Sequence, residues 1–161
     1  MIKMFNIEPD FKNNNLLKSH ENDMGYDIRS PGEVFLSPGT HKIIDSKLCV
    51  FMPGLLGAFI KSRSGLAMKH NIEVSNAGVI DSGFCESCKI KIYNRGLNEP
   101  FRIKKGDRIA QMVFLIRPEA FFENNIALKQ PLEKFSIKEV SKEAFDKLNI
   151  NRSGIGSTGI K

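Results

Sequence analysis

Cys88-Lys89-Ile90-Lys91-Ile92-Tyr93 is the stretch that decides the fold. Its side chains alternate with a period of two. Cys88, Ile90 and Ile92 share one face, and Lys89, Lys91 and Tyr93 share the other. Successive Cβ atoms of a strand point to opposite faces, so a strand with one face on a core and one on solvent reads this way. Phe101-Arg102-Ile103 repeats the pattern briefly. Ile109 to Ile116 is more continuously apolar, as for a strand covered on both faces.

Outward from these runs, the chain between Tyr26 and Ile116 is a series of short extended segments. Pro31-Gly32, Pro38-Gly39, Pro53-Gly54, Ser82-Gly83, Arg95-Gly96 and Lys105-Gly106 punctuate it. Short spacing between turn signals predicts an all-β sandwich or barrel rather than βαβ units. Met1 to Ile7 is the first expected strand, and the polar, Asn-rich run Asp10 to Asp23 is an expected loop. Two segments read as short helices, Ser64 to His70 and Ser141 to Leu148, with Ser141 as the N-cap of the second. The organisation is one β domain over 1–148 and a glycine-rich tail over 149–161.

The chain has 161 residues, enough for one core without covalent staples. Its densest apolar stretches, Leu55 to Ile60 and Met112 to Ile116, fall far short of the roughly 18 residues of a membrane span. No apolar run with a small-residue cleavage site opens the sequence, so no secretory signal is expected. The three cysteines are an odd number, which fits a reducing compartment. The expected location is cytoplasmic, or nuclear for a eukaryotic or viral source. A net charge of +6 implies an anionic partner: nucleic acid, a lipid surface or a small polyphosphate. Two tyrosines, no tryptophan and no recognition module speak against nucleic acid.

Five stretches could carry chemistry. Arg152, Ser157 and Thr158 stand among glycines in the tail, where backbone N–H groups and a guanidinium could clamp a polyphosphate; a frayed terminus reads the same way. Lys61-Ser62-Arg63-Ser64-Gly65 offers two cations and two hydroxyls, and is either an anion contact or a polar turn. In Asn76-Ala77-Gly78-Val79-Ile80-Asp81-Ser82-Gly83-Phe84, Asp81 ends an apolar strand; it can activate a water or cap a turn. Gly106-Asp107-Arg108-Ile109-Ala110-Gln111 suggests an Asp107–Arg108 ion pair, and an amide at Gln111 that must find partners. Cys85-Glu86-Ser87-Cys88 is a lone CxxC running into a strand. It lacks a second pair of zinc ligands, and its two sulfurs point to opposite faces.

Taken in order, GYDIRS (25–30), KSRSGLA (61–67), NAGVIDSGF (76–84), GDRIAQ (106–111) and RSGIGSTG (152–159) closely resemble the five motifs of the trimeric dUTPases. The resemblance implies a jelly-roll-like β subunit, a homotrimer with three shared active sites, and hydrolysis of dUTP to dUMP and pyrophosphate with Mg²⁺ held mainly by the phosphates. It implies that Asp81 activates the water attacking the α-phosphorus, and that Asp27 lies near the metal's water shell. Arg63, Ser64, Gly65 and Gln111 would meet phosphates. Asn76, Gly78, Val79 and Ile80 would belong to the hairpin that reads uracil, with Phe84 against the sugar and Lys91 beside the substrate. Arg152, Ile155, Gly156, Ser157 and Thr158 would close the tail over the nucleotide.

The chain departs from the family pattern in places. Phe84 replaces a tyrosine, Cys85-Glu86-Ser87 replaces Arg-Gly-Glu, and Ser62 replaces a proline. Ile155 stands where a phenylalanine stacks on uracil, which implies weaker substrate binding, since such a stack is worth about 1–3 kcal/mol. A binding or regulatory protein on the same fold is the alternative reading. A dCTP deaminase fits less well, because Lys91 occupies the position of its catalytic glutamate.

Overall fold

The computed structural model describes residues 2–6, 16–54, 56–75, 78–117 and 137–148. The described chain folds as β strands with two short helices. In chain order the strands are β1 (Ile2–Asn6), β2 (Tyr26–Arg29), β3 (Val34–Leu36), β4 (His41–Phe51), β5 (Leu56–Lys61), β6 (Ile72–Val74), β7 (Val79–Ile80), β8 (Ser87–Asn94), β9 (Phe101–Ile103), β10 (Arg108–Ile116) and β11 (Ile137–Glu139). The helices are α1 (Ser64–His70) and α2 (Lys142–Asp146).

A five-stranded sheet runs β11-β1-β4-β8-β6, a four-stranded sheet runs β2-β10-β5-β7, and β3 pairs with β9. Apolar side chains from all three meet in one core. Ile2, Ile44, Leu48, Ile90 and Ile92 come from the larger sheet, Ile28, Ile60 and Met112 from the second, and Leu36 and Ile103 from the pair. This is the all-β sandwich that the turn spacing predicts, in the jelly-roll-like form that the resemblance implies. The alternation in β8 is realised as read: Cys88, Ile90 and Ile92 are fully buried, while Lys89, Lys91 and Tyr93 face outward.

Each helix carries its own stop or start signal. At the end of α1, Asn71 enters the left-handed region at φ 54° and its N–H bonds back to Ala67. Lys69 and His70 lie in the last turn, where cations suit the helix dipole. Ser141 caps α2 as expected, its Oγ accepting from the Ala144 N–H at 3.3 Å. The helix itself is shorter than the expected Ser141–Leu148. It buries Phe145 against Phe5, with ring centroids 6.1 Å apart.

Two expectations are corrected. Ile109 to Ile116 is not covered on both faces throughout: Ile109, Ala110 and Met112 are buried, but Leu115 and Ile116 are exposed. Leu115 shares an outward face with Phe59 and Val79, through the register pairs Leu115↔Gly57, Val113↔Phe59 and Phe59↔Val79. Nor do Asp107 and Arg108 pair with each other. Asp107 instead accepts from the Lys104 N–H at 2.8 Å, closing the turn in which Gly106 adopts φ 89°. The pairing of β11 alongside β1, parallel, has no counterpart in the sequence reading.

Candidate active site

The second expected anion stretch folds onto a cavity of about 460 Å³. Asp27 from β2, Arg63 and Ser64 around the start of α1, Arg108 and Gln111 from β10, and Ser19 from the preceding loop line it. Asp27 is the centre of this group and is only 8 % exposed. Arg63 Nε donates to Oδ1 of Asp27 at 2.8 Å. Arg108 Nη1 donates to Oδ2 at 3.3 Å, and Ser19 Oγ donates to the same oxygen at 2.8 Å. Arg108 also bonds to Ser19. One nearly buried carboxylate therefore holds two guanidiniums in a fixed aim. A buried carboxylate is stable only with such partners.

Gln111 sits across from Asp27 in the β10–β2 register. Its Nε2 donates to the Ser62 carbonyl at 2.9 Å, which fixes the amide at the cavity wall. Gly25 makes room for it. A Cβ there would stand 2.2 Å from Gln111 Oε1. The Ser62 hydroxyl ties the same turn to β6. Its Oγ accepts from the Val74 N–H at 2.8 Å, a bond that the proline usual in the family could not make.

Arg108 and Ser19 were missed as site residues in the sequence. In a regular strand, residues 108 and 111 would face opposite ways. A bulge between Arg108 and Ala110 inserts one residue and turns both toward the cavity. Two consecutive buried positions, Ile109 and Ala110, are its trace.

The hairpin stretch lies against β5 instead. Val79 and Ile80 pair with Phe59 and Ala58. The Ile60 N–H donates to the Gly78 carbonyl at 2.7 Å. A Cβ on Gly78 would stand 2.8 Å from the Ile60 carbonyl oxygen, so only glycine lets these backbones meet. Ile80 turns into the core, while Val79 is 62 % exposed. Asp81 follows at the strand end, exposed to solvent, and its carbonyl accepts from the Phe84 N–H at 3.2 Å. Gly83 takes φ 79° in that turn. The Phe84 ring is half-buried and packs on the core. Gly78 and Lys91 line a second, smaller cavity that shares no residue with the first, and Asp81 lines neither. The described site residues thus do not all meet in one cavity of the chain. Asn76 and the tail positions Arg152, Ile155, Gly156, Ser157 and Thr158 lie outside the described residues.

The cysteines take no part in either cavity's chemistry. Burial pushes the Cys88 thiol up to about 12 and the Cys49 thiol up to about 11. Cys85 is raised less, also by burial. Among the described residues no cluster of three or more His, Cys, Asp or Glu could hold a metal. Ser87, one of the departures from the family pattern, is buried and donates to Asp45. Asp45 is held below the usual carboxylate range. Burial opposes this, but the Ser87 hydroxyl and the Lys47 N–H and ammonium outweigh it.

A β sandwich carrying an arginine-lined pocket and a glycine-tight hairpin defines a structural class. Comparison with known proteins narrows it. The dUTPase family model matches residues 12–136. The deoxyuridine 5'-triphosphate nucleotidohydrolase of Clostridioides difficile is 35% identical over 142 residues, covering 88% of this chain and 87% of its own. That of Clostridium acetobutylicum is 35% identical over 144 residues, covering 89% and 87%. Among solved structures, a Staphylococcus bacteriophage 80alpha dUTPase variant with dUpNHpp superposes with a TM-score of 0.65 at 25% identity, covering 84% of this chain and 99% of that one. The EIAV dUTPase shares the fold at a TM-score of 0.62 and 20% identity, covering 85% and 100%. The chain belongs to the dUTPase family.

Proposed function

We propose that the chain is a dUTP diphosphatase, converting dUTP and water to dUMP and pyrophosphate. The observation that carries this reading is the Asp27 clamp, which aims Arg63 and Arg108 into one cavity in a chain of the dUTPase family. The reaction displaces a polyanion, so catalysis is mainly positioning and charge neutralisation. Arg63, Arg108, Ser64 and Gln111 bind and orient the phosphates. Asp81 takes a proton from the water that attacks the α-phosphorus in line. The hairpin from Gly78 to Phe84 offers backbone donors and acceptors to the base, and Phe84 keeps a ring where the sugar packs. Arg152, Ser157 and Thr158 are assigned to the terminal phosphates and Ile155 to the base.

A Mg²⁺ ion fits the site as a passenger of the triphosphate. Three of the roughly four acceptor positions of Asp27 are already used by Arg63, Ser19 and Arg108, so its carboxylate would meet a phosphate-bound cation through the ion's water shell. The ion supplies neutralisation of phosphate charge. The working unit is a homotrimer. Two facts support it: the described site residues do not meet in one cavity of a single chain, and Phe59, Val79 and Leu115 form an exposed apolar row.

The test is product analysis. Purified protein with Mg²⁺ and dUTP, dTTP, dCTP or UTP should yield dUMP and pyrophosphate from dUTP selectively, and Asp81→Asn should abolish it. No turnover of dUTP by the wild type would refute the reading and favour a nucleotide-binding protein on this fold.

A further inference from the structure

The smaller cavity, about 190 Å³, is walled by Ile43, Ile60 and Val74, with Ser75 and Gly78 from the base of the hairpin. It is below the roughly 300 Å³ of pockets that enclose a whole drug-sized ligand, which suits one ring. Lys89 and Lys91 complete its lining. These two cations are not equivalent. Lys89 lies 3.7 Å from the Asp45 carboxylate. No salt bridge between described residues involves Lys91. Its Nζ lies 5.4 Å from the centre of the Tyr93 ring, which Arg95 approaches more closely, at 4.3 Å. Arg95 in turn pairs with Glu73 at 3.5 Å. Directly across the β4–β8 register from Lys91 stands Ile43, 62 % exposed. A side chain whose head has three donors and no acceptor therefore lines an apolar slot at the foot of the hairpin.

An apolar slot takes the face of a flat ring, and a donor-only group at its rim selects what the ring's edge presents. A carbonyl oxygen accepts the bond. An exocyclic amine in that place brings donor against donor and leaves both unpaired, which is the strongest form of discrimination a polar contact offers. We propose that Lys91 is a specificity-determining residue whose ammonium donates to the C4 carbonyl of the bound pyrimidine, where cytosine carries its amine, favouring uracil over cytosine. This rests on the nucleotide-hydrolase reading above. The contact does not separate uracil from thymine, which carries the same carbonyls.

Equilibrium binding of dUMP and dCMP to the full chain tests this without requiring turnover. Wild type should prefer dUMP. Lys91→Met should weaken dUMP about tenfold or more while moving dCMP little, the loss expected for one charge-assisted hydrogen bond. Lys91→Glu, which presents acceptors, should shift the ratio further toward dCMP. Circular dichroism melting checks folding, and Lys91→Gln replaces the Met variant if that one fails to fold, with the ratio again expected to fall. A dUMP-to-dCMP ratio that stays within twofold of wild type in the folded variants overturns the proposal, as does a wild type without preference. dUTP hydrolysis measured on the same wild-type preparation reports separately on the functional reading.

Discussion

Replacing Gly78 by alanine tests how tightly the hairpin is built. The new Cβ would stand 2.8 Å from the Ile60 carbonyl oxygen, 2.9 Å from Ile60 Cβ and 3.2 Å from Ile60 N. Two of these neighbours are backbone atoms of Ile60, near the end of β5, so no side-chain rotation relieves the clash. The hairpin must retreat by about half an ångström or more, and the Ile60 N–H to Gly78 carbonyl bond at 2.7 Å stretches or breaks. Overpacking of this kind costs about 1–3 kcal/mol. A lost hydrogen bond adds about 0.5–1.5 kcal/mol. At roughly 2–4 °C per kcal/mol for a chain of this size, calorimetry should show Tm lowered by about 5–15 °C. Asp81 rides on the same hairpin three residues later. A displacement approaching 1 Å at a reacting group costs on the order of a hundredfold, so kcat/KM for dUTP should fall by about that factor. Gly25→Ala is the internal contrast. Its Cβ meets the Gln111 amide end, which can swing away, and Gln111 Cβ at 3.1 Å, which must give by a few tenths of an ångström, so kcat/KM should fall while Tm drops less than in Gly78→Ala. A Gly78→Ala protein with wild-type Tm and wild-type kcat/KM would refute the close-approach argument.

The Asp27 clamp and the thiols give two further expectations. Asp27→Asn keeps the shape but removes the charge that aligns Arg63 and Arg108. It should lower stability by about 1–3 kcal/mol in urea titration and raise KM for dUTP, and Arg63→Gln added to it should cost little more, because the two act as a unit. For the thiols, Cys88 and Cys49 should resist a maleimide in the native protein and react after denaturation, while the partly exposed Cys85 labels first. Both buried thiols have folded-state values above the ordinary 9.0. Their contribution to stability is therefore complete below pH 9 and lost as pH rises through about 11 and 12, and Tm should fall across that window.

What the sequence disclosed depended on whether the cause was local. The β8 alternation, the Ser64–His70 helix and the Ser141 cap are properties of a few adjacent residues, and each is found in place. The motif order placed Asp27, Arg63, Ser64 and Gln111 near one another, and they share one cavity. The orientation of Arg108 escaped because a bulge reverses the parity on which strand reading depends. Ser19 escaped because a polar loop carries no period. The exposed end of β10 was misjudged because continuous apolarity says that a surface wants cover, not that its own chain supplies it. The Asp27 contacts, which join residues 27, 63 and 108, depend on two strands and the turn before α1 meeting, and have no signature in any one of them.

The five-stranded sheet ends on β11 and β6, each three residues long. A sheet border is a row of unpaired amides and carbonyls that invites another molecule to continue the ladder. Here β1 is kept from being that border by the parallel strand laid along it, and the new border is short and carries Lys138 and Glu139 at its exposed positions. Glu73 does the same at the far side. Among the described residues, charged, truncated rims thus stand at both ends of the largest sheet, which disfavours edge-to-edge aggregation, while the apolar row of Phe59, Val79 and Leu115 lies exposed on the four-stranded sheet.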